Sequence, residues 1–375
     1  MIRTLHTNLS ILLIFFFPFG IYPVTLLSLP VHEILLLMTS ILFLMSLFTQ
    51  KFRKIHGLNY SAFFALGLIF LVDGFRLASS GAKLQTYSGL LYYLSFAGII
   101  LNMTEKRALL YLKTLTASTV ISFILLTIHN IGNPSRYSYY LGVGFDRHNW
   151  VDPNLLSYGF VIGFVAAIIL YKFKRLRGRY LFLIGCISLT TIINTESRSA
   201  LGALVLCLIF LYMNSRSLKL LFFLIPLLTT SLLISFINNF SLSSVAETLS
   251  IVERLQSNVH GEVRLSIILE TYQFFTSSVS NLVLGAGWRT SNPHNIVLYI
   301  LASLGIIGFS IMSILFWLLF KTPKIVPLNL KMIILSGTIA PLMFYHSDKV
   351  MFASLLLLSC TLALCLTTRD HNVSI

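Results

Sequence analysis

Long apolar runs separated by short polar segments constrain this chain more than any other feature of its sequence. An apolar run of about 20 residues spans the hydrocarbon core of a bilayer as a helix, and the charged residues lie almost entirely between the runs. The pattern predicts an all-α fold, a polytopic transmembrane helix bundle of about twelve spans that forms a single membrane domain over residues 1–375. The predicted spans are Leu9–Leu27, Val31–Thr49, Tyr60–Val72, Thr86–Leu101, Leu109–Ile128, Pro153–Tyr171, Tyr180–Asn194, Ala200–Met213, Leu218–Ile237, His294–Phe320, Lys331–Tyr345 and Val350–Leu366.

The composition excludes an ordinary soluble domain. Hydrophobic residues make up 56% of the chain and charged residues 10%, whereas a soluble domain is roughly a quarter charged. No small-residue cleavage site follows Leu9–Leu27, so we expect a retained helix and not a signal peptide. The third and fourth runs are short, and they would either cross the bilayer or be partly re-entrant.

Basic residues predict which ends of the helices face the cytoplasm. Alternate loops hold 18 of the 27 basic residues and only two of the 12 acidic ones, Glu105 and Asp370. By the positive-inside rule these loops are cytoplasmic, and both termini lie with them. The net charge of +15 is therefore a topology signal, and we expect a multi-pass protein of the plasma membrane, with the lipid bilayer as partner and no nucleic acid. The inner cluster with the most cations is Lys172, Lys174, Arg175, Arg177 and Arg179.

The outer side is predicted to carry a large periplasmic loop over residues 238–293. Apolar residues recur there at helical spacing, with charged residues between them. This predicts one or two amphipathic helices that either rest on the outer membrane face or cap the bundle. The apolar positions are Val245, Leu249, Val252, Leu255, Val263, Ile267, Ile268 and Phe275.

Three predicted helix starts on the outer side combine features that favour anions. They are Asp152-Pro153-Asn154, the block around Arg198, and Ser291-Asn292-Pro293-His294-Asn295. Helix N-termini present free N–H groups and a partial positive charge. The outer basic residues are seven arginines and two lysines, and arginine binds phosphate bidentately. Together these features indicate a diphosphate site.

His294 admits two interpretations. A helix N-terminus disfavours the imidazolium form, so His294 would be neutral and able to accept a proton. In the second interpretation His294 is a structural hydrogen-bonding group at the membrane interface.

Several blocks in one order resemble the O-antigen ligase/polymerase superfamily. They are Asp152-Pro153-Asn154, Ser197-Arg198-Ser199-Ala200-Leu201-Gly202, Leu284-Gly285-Ala286-Gly287-Trp288, and Pro293-His294-Asn295 through Gly305-Ile306-Ile307-Gly308. The resemblance covers residues 152–308. It implies a membrane glycosyltransferase without metal or cofactor, which takes a glycan from undecaprenyl diphosphate at the outer leaflet.

The resemblance also implies residue roles. Arg198, Arg264 and Arg254 would bind the diphosphate, and His294 would align or deprotonate the acceptor hydroxyl. The expected substrate site also includes Arg289, Asp152, Asn154 and Asn295. A chain-length regulator and a flippase are the expected protein partners.

Three functions remain open at this stage. A polymerase would move the growing chain onto a new lipid-linked repeat unit, and the Asp-Pro-Asn helix start favours it. A ligase would move the finished chain onto lipid A–core. A secondary transporter is the alternative of another class, although transporters place ionisable residues near the bilayer midplane and these spans are nearly free of charge.

Overall fold

The structure, a computed structural model, confirms the predicted all-α class. It describes residues 2–16, 25–26, 29–49, 64, 66–71, 74, 88–130, 153–195, 197–213, 270–285, 296–321, 326–342 and 348–373. Strands β1 (Thr25–Leu26) and β2 (Leu29–Pro30) form a two-residue antiparallel pair. The named helices are α1 (Ile2–Phe16), α2 (Val31–Thr49), α3 (Ser88–Leu101), α4 (Glu105–Asn130), α5 (Pro153–Lys172), α6 (Gly178–Asn194), α7 (Arg198–Met213), α8 (Val279–Leu284), α9 (Ile296–Lys321), α10 (Leu328–Leu342) and α11 (Asp348–Val373).

Helix α5 is the centre of the bundle. Every residue from 156 to 170 is buried, because α4, α6, α7, α10 and α11 all pack against it. This explains why the helix is apolar on all sides, since an all-round apolar helix is typical of a core. Close approach is possible at Gly337 of α10, where an added Cβ would lie 2.4 Å from Val165 Cγ2. The same core extends between α3 and α11, where the Phe352 ring stacks on Phe96 with 5.0 Å between centroids.

The first helix ends earlier than the sequence predicted. Helix α1 ends at Phe16, and Thr25–Leu26 pairs with Leu29–Pro30, so a span that continues to Leu27 is wrong. The apolar run contains Pro18 just beyond this end, and a proline is a sequence signal against a continuous helix because it lacks a backbone donor. Hydropathy alone did not register this break.

Other helix ends agree closely with the predictions or extend beyond them. Helices α5, α6 and α7 match their predicted spans within two residues. Helix α4 begins at Glu105 and not at Leu109, since Thr104 caps it: the Arg107 backbone N–H donates to Thr104 Oγ1 at 3.4 Å. Helix α11 continues to Val373, beyond its apolar run.

Length and composition separate two helices from the rest of the described chain. Glu105–Thr127 and Val297–Ile314 are both long and apolar enough to cross a membrane. The other apolar helices that the structure describes are shorter. The predicted span Leu218–Ile237 lies outside the described residues, and Tyr60–Val72 is described only at residues 64 and 66–71.

The predicted amphipathic region is described only at its end. Residues 270–276 are helical, with Thr271 and Phe275 buried and Tyr272 and Phe274 exposed. The buried pair is four residues apart, as on one face of a helix. This last turn is therefore amphipathic, whereas residues 238–269 lie outside the described part of the chain.

Candidate functional site

Two of the three predicted outer helix starts lie side by side. Helix α5 begins at Pro153 and α7 begins at Arg198, and two side-chain hydrogen bonds join the α5 end to the α6–α7 turn. Ser157 Oγ bonds Thr195 Oγ1, and Tyr158 Oη bonds Ser199 Oγ. The structure thus brings together two blocks that are about 40 residues apart in the sequence.

The direction of one of these bonds follows from the other contacts of Thr195. Its hydroxyl lies 2.9 Å from the Thr191 carbonyl oxygen and 3.0 Å from that of Ile192. A carbonyl only accepts, and a hydroxyl has a single proton. Thr195 therefore donates within its own helix, and the Ser157 hydroxyl donates to Thr195 Oγ1. The start of α5 is therefore joined to the end of α6 by a bond of defined direction.

This arrangement directs two helix N-termini to the same end of the bundle. Asn154 lies in the first turn of α5, and Arg198 is the first residue of α7. The first backbone N–H groups of a helix have no partner within it and carry a partial positive charge. Two such ends side by side favour an anion, which agrees with the chemistry expected of this region.

A second structural feature fixes the segment that leads to the third helix start. Helix α8 is capped by Ser278, whose side chain accepts from the Asn281 backbone N–H at 3.1 Å. It ends at Gly285, with φ 74° and ψ 179°, and α9 is interrupted at Gly305, with φ 65° and ψ −170°. Such angles are essentially restricted to glycine. The block Leu284-Gly285-Ala286-Gly287-Trp288 therefore has glycine at position 285, where the backbone conformation favours glycine over any other residue.

These two glycines also lie against each other. A Cβ on Gly285 would lie 2.3 Å from the Ser303 carbonyl oxygen, and a Cβ on Gly305 would lie 2.6 Å from the Gly285 nitrogen. We call this contact the glycine clasp (Gly285 with Gly305). Two glycines three residues apart, Gly305 and Gly308, are typical of close packing between helices, whereas the structure makes Gly305 the position where α9 breaks and receives the end of α8.

Most of the predicted site residues are not part of the described structure. Asp152, Arg254, Arg264, Arg289, His294 and Asn295 lie outside the described residues. The structure describes helix α9 from Ile296 onward. Among the described helices, α8 makes the most contacts with α9. The structure thus brings together the Asn154 and Arg198 helix starts, and the predicted roles of the other residues stay predictions.

Sequence reasoning missed the hydroxyl pairs. Ser157 and Tyr158 are buried, and each follows the Asp-Pro-Asn helix start by about one turn. A signal existed: several hydroxyl residues flank both helix starts in otherwise apolar runs. Their pairing across two helices could not be obtained from local spacing.

Comparison with known proteins adds no assignment. No family model matches the chain, and no characterised protein matches its sequence. Any functional conclusion rests on the residues and on the fold.

Proposed function

We propose that this protein is a polytopic membrane glycosyltransferase, a polysaccharide repeat-unit polymerase. It would transfer a glycan from undecaprenyl diphosphate to a sugar hydroxyl at the outer face of the inner membrane. The observation that carries the proposal is the juxtaposition of the Asn154 and Arg198 helix starts by the two hydroxyl pairs. It supports an anion site at the end of the bundle that the charge pattern assigns to the outside.

Apolar surface on the helices supports the membrane part of the proposal. Helix α7 exposes Leu201, Val205 and Ile209, each between 38% and 44%, at the four-residue spacing of one helix face. Helix α2 exposes a comparable stripe that includes Leu37, Ile41 and Met45. Exposed apolar stripes of this kind favour contact with lipid. The apolar stretch Glu105–Thr127 of α4, with 23 residues, has a length of about 35 Å, which is enough to cross the hydrocarbon core.

The proposed reaction exchanges one bond at the donor sugar. The acceptor hydroxyl oxygen attacks the anomeric carbon, and the bond from that carbon to the diphosphate oxygen breaks. The hydroxyl proton passes to His294, and undecaprenyl diphosphate leaves with the bonding electrons. Arg198, Arg254 and Arg264 would stabilise the charge that develops on this leaving group, because preorganised donors are most effective where charge appears in the transition state.

His294→Gln tests the proposed chemistry. Glutamine keeps hydrogen-bonding capacity but cannot act as a base, and loss of a positioned base costs about 10²- to 10⁴-fold in rate. We expect the variant to insert at normal levels and to form glycan polymer more slowly by that factor, measured with purified protein and a lipid-linked repeat unit. Wild-type turnover would make His294 structural. A parallel assay with lipid A–core as acceptor separates a polymerase from a ligase.

One observation favours a transporter as the second candidate. Helix α9 is long enough to cross a membrane, and its helical geometry is interrupted at Gly305. Interrupted transmembrane helices are typical of transporter binding sites. The glycine clasp offers another reason for the break, because it receives the end of α8. Uptake of a labelled solute into proteoliposomes, without any glycan transfer, would favour transport.

A further inference from the structure

The turn between α5 and α6, at the opposite end of the bundle from the paired helix starts, has an unusual backbone. The Lys174 N–H donates to the Tyr171 carbonyl at 2.9 Å, and the Arg175 N–H donates to the Leu170 carbonyl at 2.8 Å. These two bonds define the Schellman termination of a helix, in which one residue adopts the left-handed conformation. Here that residue is Lys174, with φ 57°.

A lysine at this position is costly for the backbone. Glycine is the usual residue there because a side chain strains the left-handed conformation. Among the described residues Lys174 is the one non-glycine residue with positive φ. A cation near the helix C-terminus is favourable, but Lys172 already occupies the last turn of α5. A strained residue of this kind indicates a role other than stability.

The same lysine lines a cavity of about 160 Å³. Since about 10–15 Å³ of such volume is enough for one water molecule, the cavity has room for a group of phosphate size. Its other lining residues are Arg175, Glu105, Phe173 and Leu364. Cationic and apolar side chains therefore meet at the point where α4, α5 and α11 come together.

The charges around the cavity match a single negative charge. Arg175 Nη2 lies 3.4 Å from Glu105 Oε1, and this pair is partly exposed. One ammonium, one guanidinium and one carboxylate leave a net charge of one positive unit. Arg175 has five N–H donors, and its bond to Glu105 uses one nitrogen. A phosphodiester, which carries one negative charge, fits this balance better than free phosphate.

We infer that this cavity, lined by Lys174 and Arg175 between α4 and α11, binds the phosphodiester headgroup of an anionic phospholipid. Phe173 and Leu364 would contact the glycerol and the first acyl carbons. The inference rests on the proposed membrane placement, under which this end of the bundle faces the cytoplasmic leaflet. Basic pockets between helices on that side are suited to anionic lipids.

Substitution by glycine separates the charge of Lys174 from its effect on folding. Lys174→Gly removes the ammonium group and relieves the left-handed backbone, so this variant should fold at least as well as the wild type. The matched control is Arg179→Gln, in the first turn of α6. The Arg179 guanidinium lies over the Tyr180 ring, 4.9 Å from its centroid, and Arg179 does not line the cavity.

The experiment measures lipid binding to the purified full-length chain by native mass spectrometry. Phosphatidylglycerol, phosphatidylcholine and phosphatidylethanolamine with identical acyl chains are titrated against each variant. We expect one phosphatidylglycerol to bind preferentially. Lys174→Gly should weaken it roughly fivefold, the contribution of one cation near an anionic lipid, with a melting temperature equal to or above that of the wild type. Arg179→Gln should leave the affinity unchanged.

Several outcomes would overturn the inference. Equal binding of the three lipids would remove the preference for an anion, and displacement of phosphatidylglycerol by excess inorganic phosphate would identify a free-phosphate site. An equal loss in Lys174→Gly and Arg179→Gln would indicate a general positive field and no defined site. Release of the protein from cell membranes by alkaline carbonate would instead overturn the membrane placement itself, and the lipid site with it.

Discussion

The two ends of the helix bundle use polar residues in different ways. At the α5–α6 turn the polar groups are exposed cations, and the Arg175–Glu105 pair is 55% and 32% exposed. At the α6–α7 turn the hydroxyls of Thr195 and Ser199 bond Ser157 and Tyr158 of α5, which are buried. Exposed cationic side chains are not held in one position. Their positive charge can orient the protein in a membrane and contact lipid headgroups. Buried hydroxyls fix helix ends, as a binding site requires.

Cysteine labelling tests whether the two ends face opposite compartments, and its expected outcome is all-or-none. Arg177→Cys lies in the exposed α5–α6 turn, and Val279→Cys lies at a site that is 77% exposed in the wild type. The outer membrane of the cells is permeabilised, and a thiol reagent that cannot cross the inner membrane is added. It should label position 279 and not position 177, because the positive-inside rule assigns the end with the basic residues to the cytoplasm. Cys207, Cys360 and Cys365 are buried and Cys186 is half-buried, so Cys186→Ala is the background in which both substitutions are made. The reverse labelling pattern would invert the assignment of the two ends.

The same substitution at each end should have very different effects on activity. Arg198→Lys removes a bidentate donor from the proposed diphosphate site, and loss of one such donor costs about 10²-fold in turnover. Arg179→Lys, in the first turn of α6, keeps the positive charge at the opposite end of the bundle. We expect its turnover to be within about twofold of the wild type. Glycan polymer formed by equal amounts of inserted protein is the measurement. Full activity in Arg198→Lys would remove its role in leaving-group stabilisation.

Replacing a glycine of the glycine clasp by alanine should lower the free energy of unfolding. Gly305→Ala forces a side chain into a conformation reserved for glycine, which costs about 1–3 kcal/mol, and its Cβ would meet the Val283 carbonyl oxygen at 2.3 Å. Gly67→Ala is the control, since a Cβ there meets nothing within 4 Å and alanine favours a helix by about 0.5–1 kcal/mol. Unfolding of both variants in a denaturing detergent titration gives the comparison. A neutral Gly305→Ala would contradict the clasp.

Removal of one hydroxyl should have the smallest effect. Tyr158→Phe deletes the bond to Ser199, and a hydrogen bond of this kind contributes about 1 kcal/mol to the unfolding free energy. Tyr171→Phe is a matched control at the basic end, where the ring is 38% exposed. A double-mutant cycle with Ser199→Ala isolates the coupling. Zero coupling would mean that the Tyr158–Ser199 bond contributes nothing beyond the packing and the Ser157–Thr195 bond.

Local sequence signals predicted the helix starts that carry the site. Pro153 suits the first helical position, and the structure begins α5 there. Arg198 was expected in or beside the first turn, and α7 begins with it. The end of α1 was predicted wrongly because the apolar run continues past Pro18. Hydropathy measures transfer into an apolar phase, and it contains no information on the backbone donors that proline removes.

Contacts between distant segments were the part that the sequence could not supply. Gly305 and Gly308 suggested helix packing, yet the partner of Gly305 is the backbone at Val283 and Gly285. In the sequence Lys174 is one of five cations of the inner cluster. Its left-handed backbone conformation is a property that only the structure shows. The predicted site residues Arg264 and His294 lie outside the described residues, so their roles depend on the experiments above.

The glycine clasp also bears on the order in which the protein folds. Its two glycines are twenty residues apart in the sequence, and short loops close quickly with little loss of chain entropy. The hydroxyl pairs join residues about 40 positions apart, and α11 packs on α3 and α4 across more than two hundred. We expect α8 and α9 to associate as a local hairpin soon after synthesis, before α10 and α11 complete the bundle. The segment with His294 would then be tethered at both ends from an early stage of assembly.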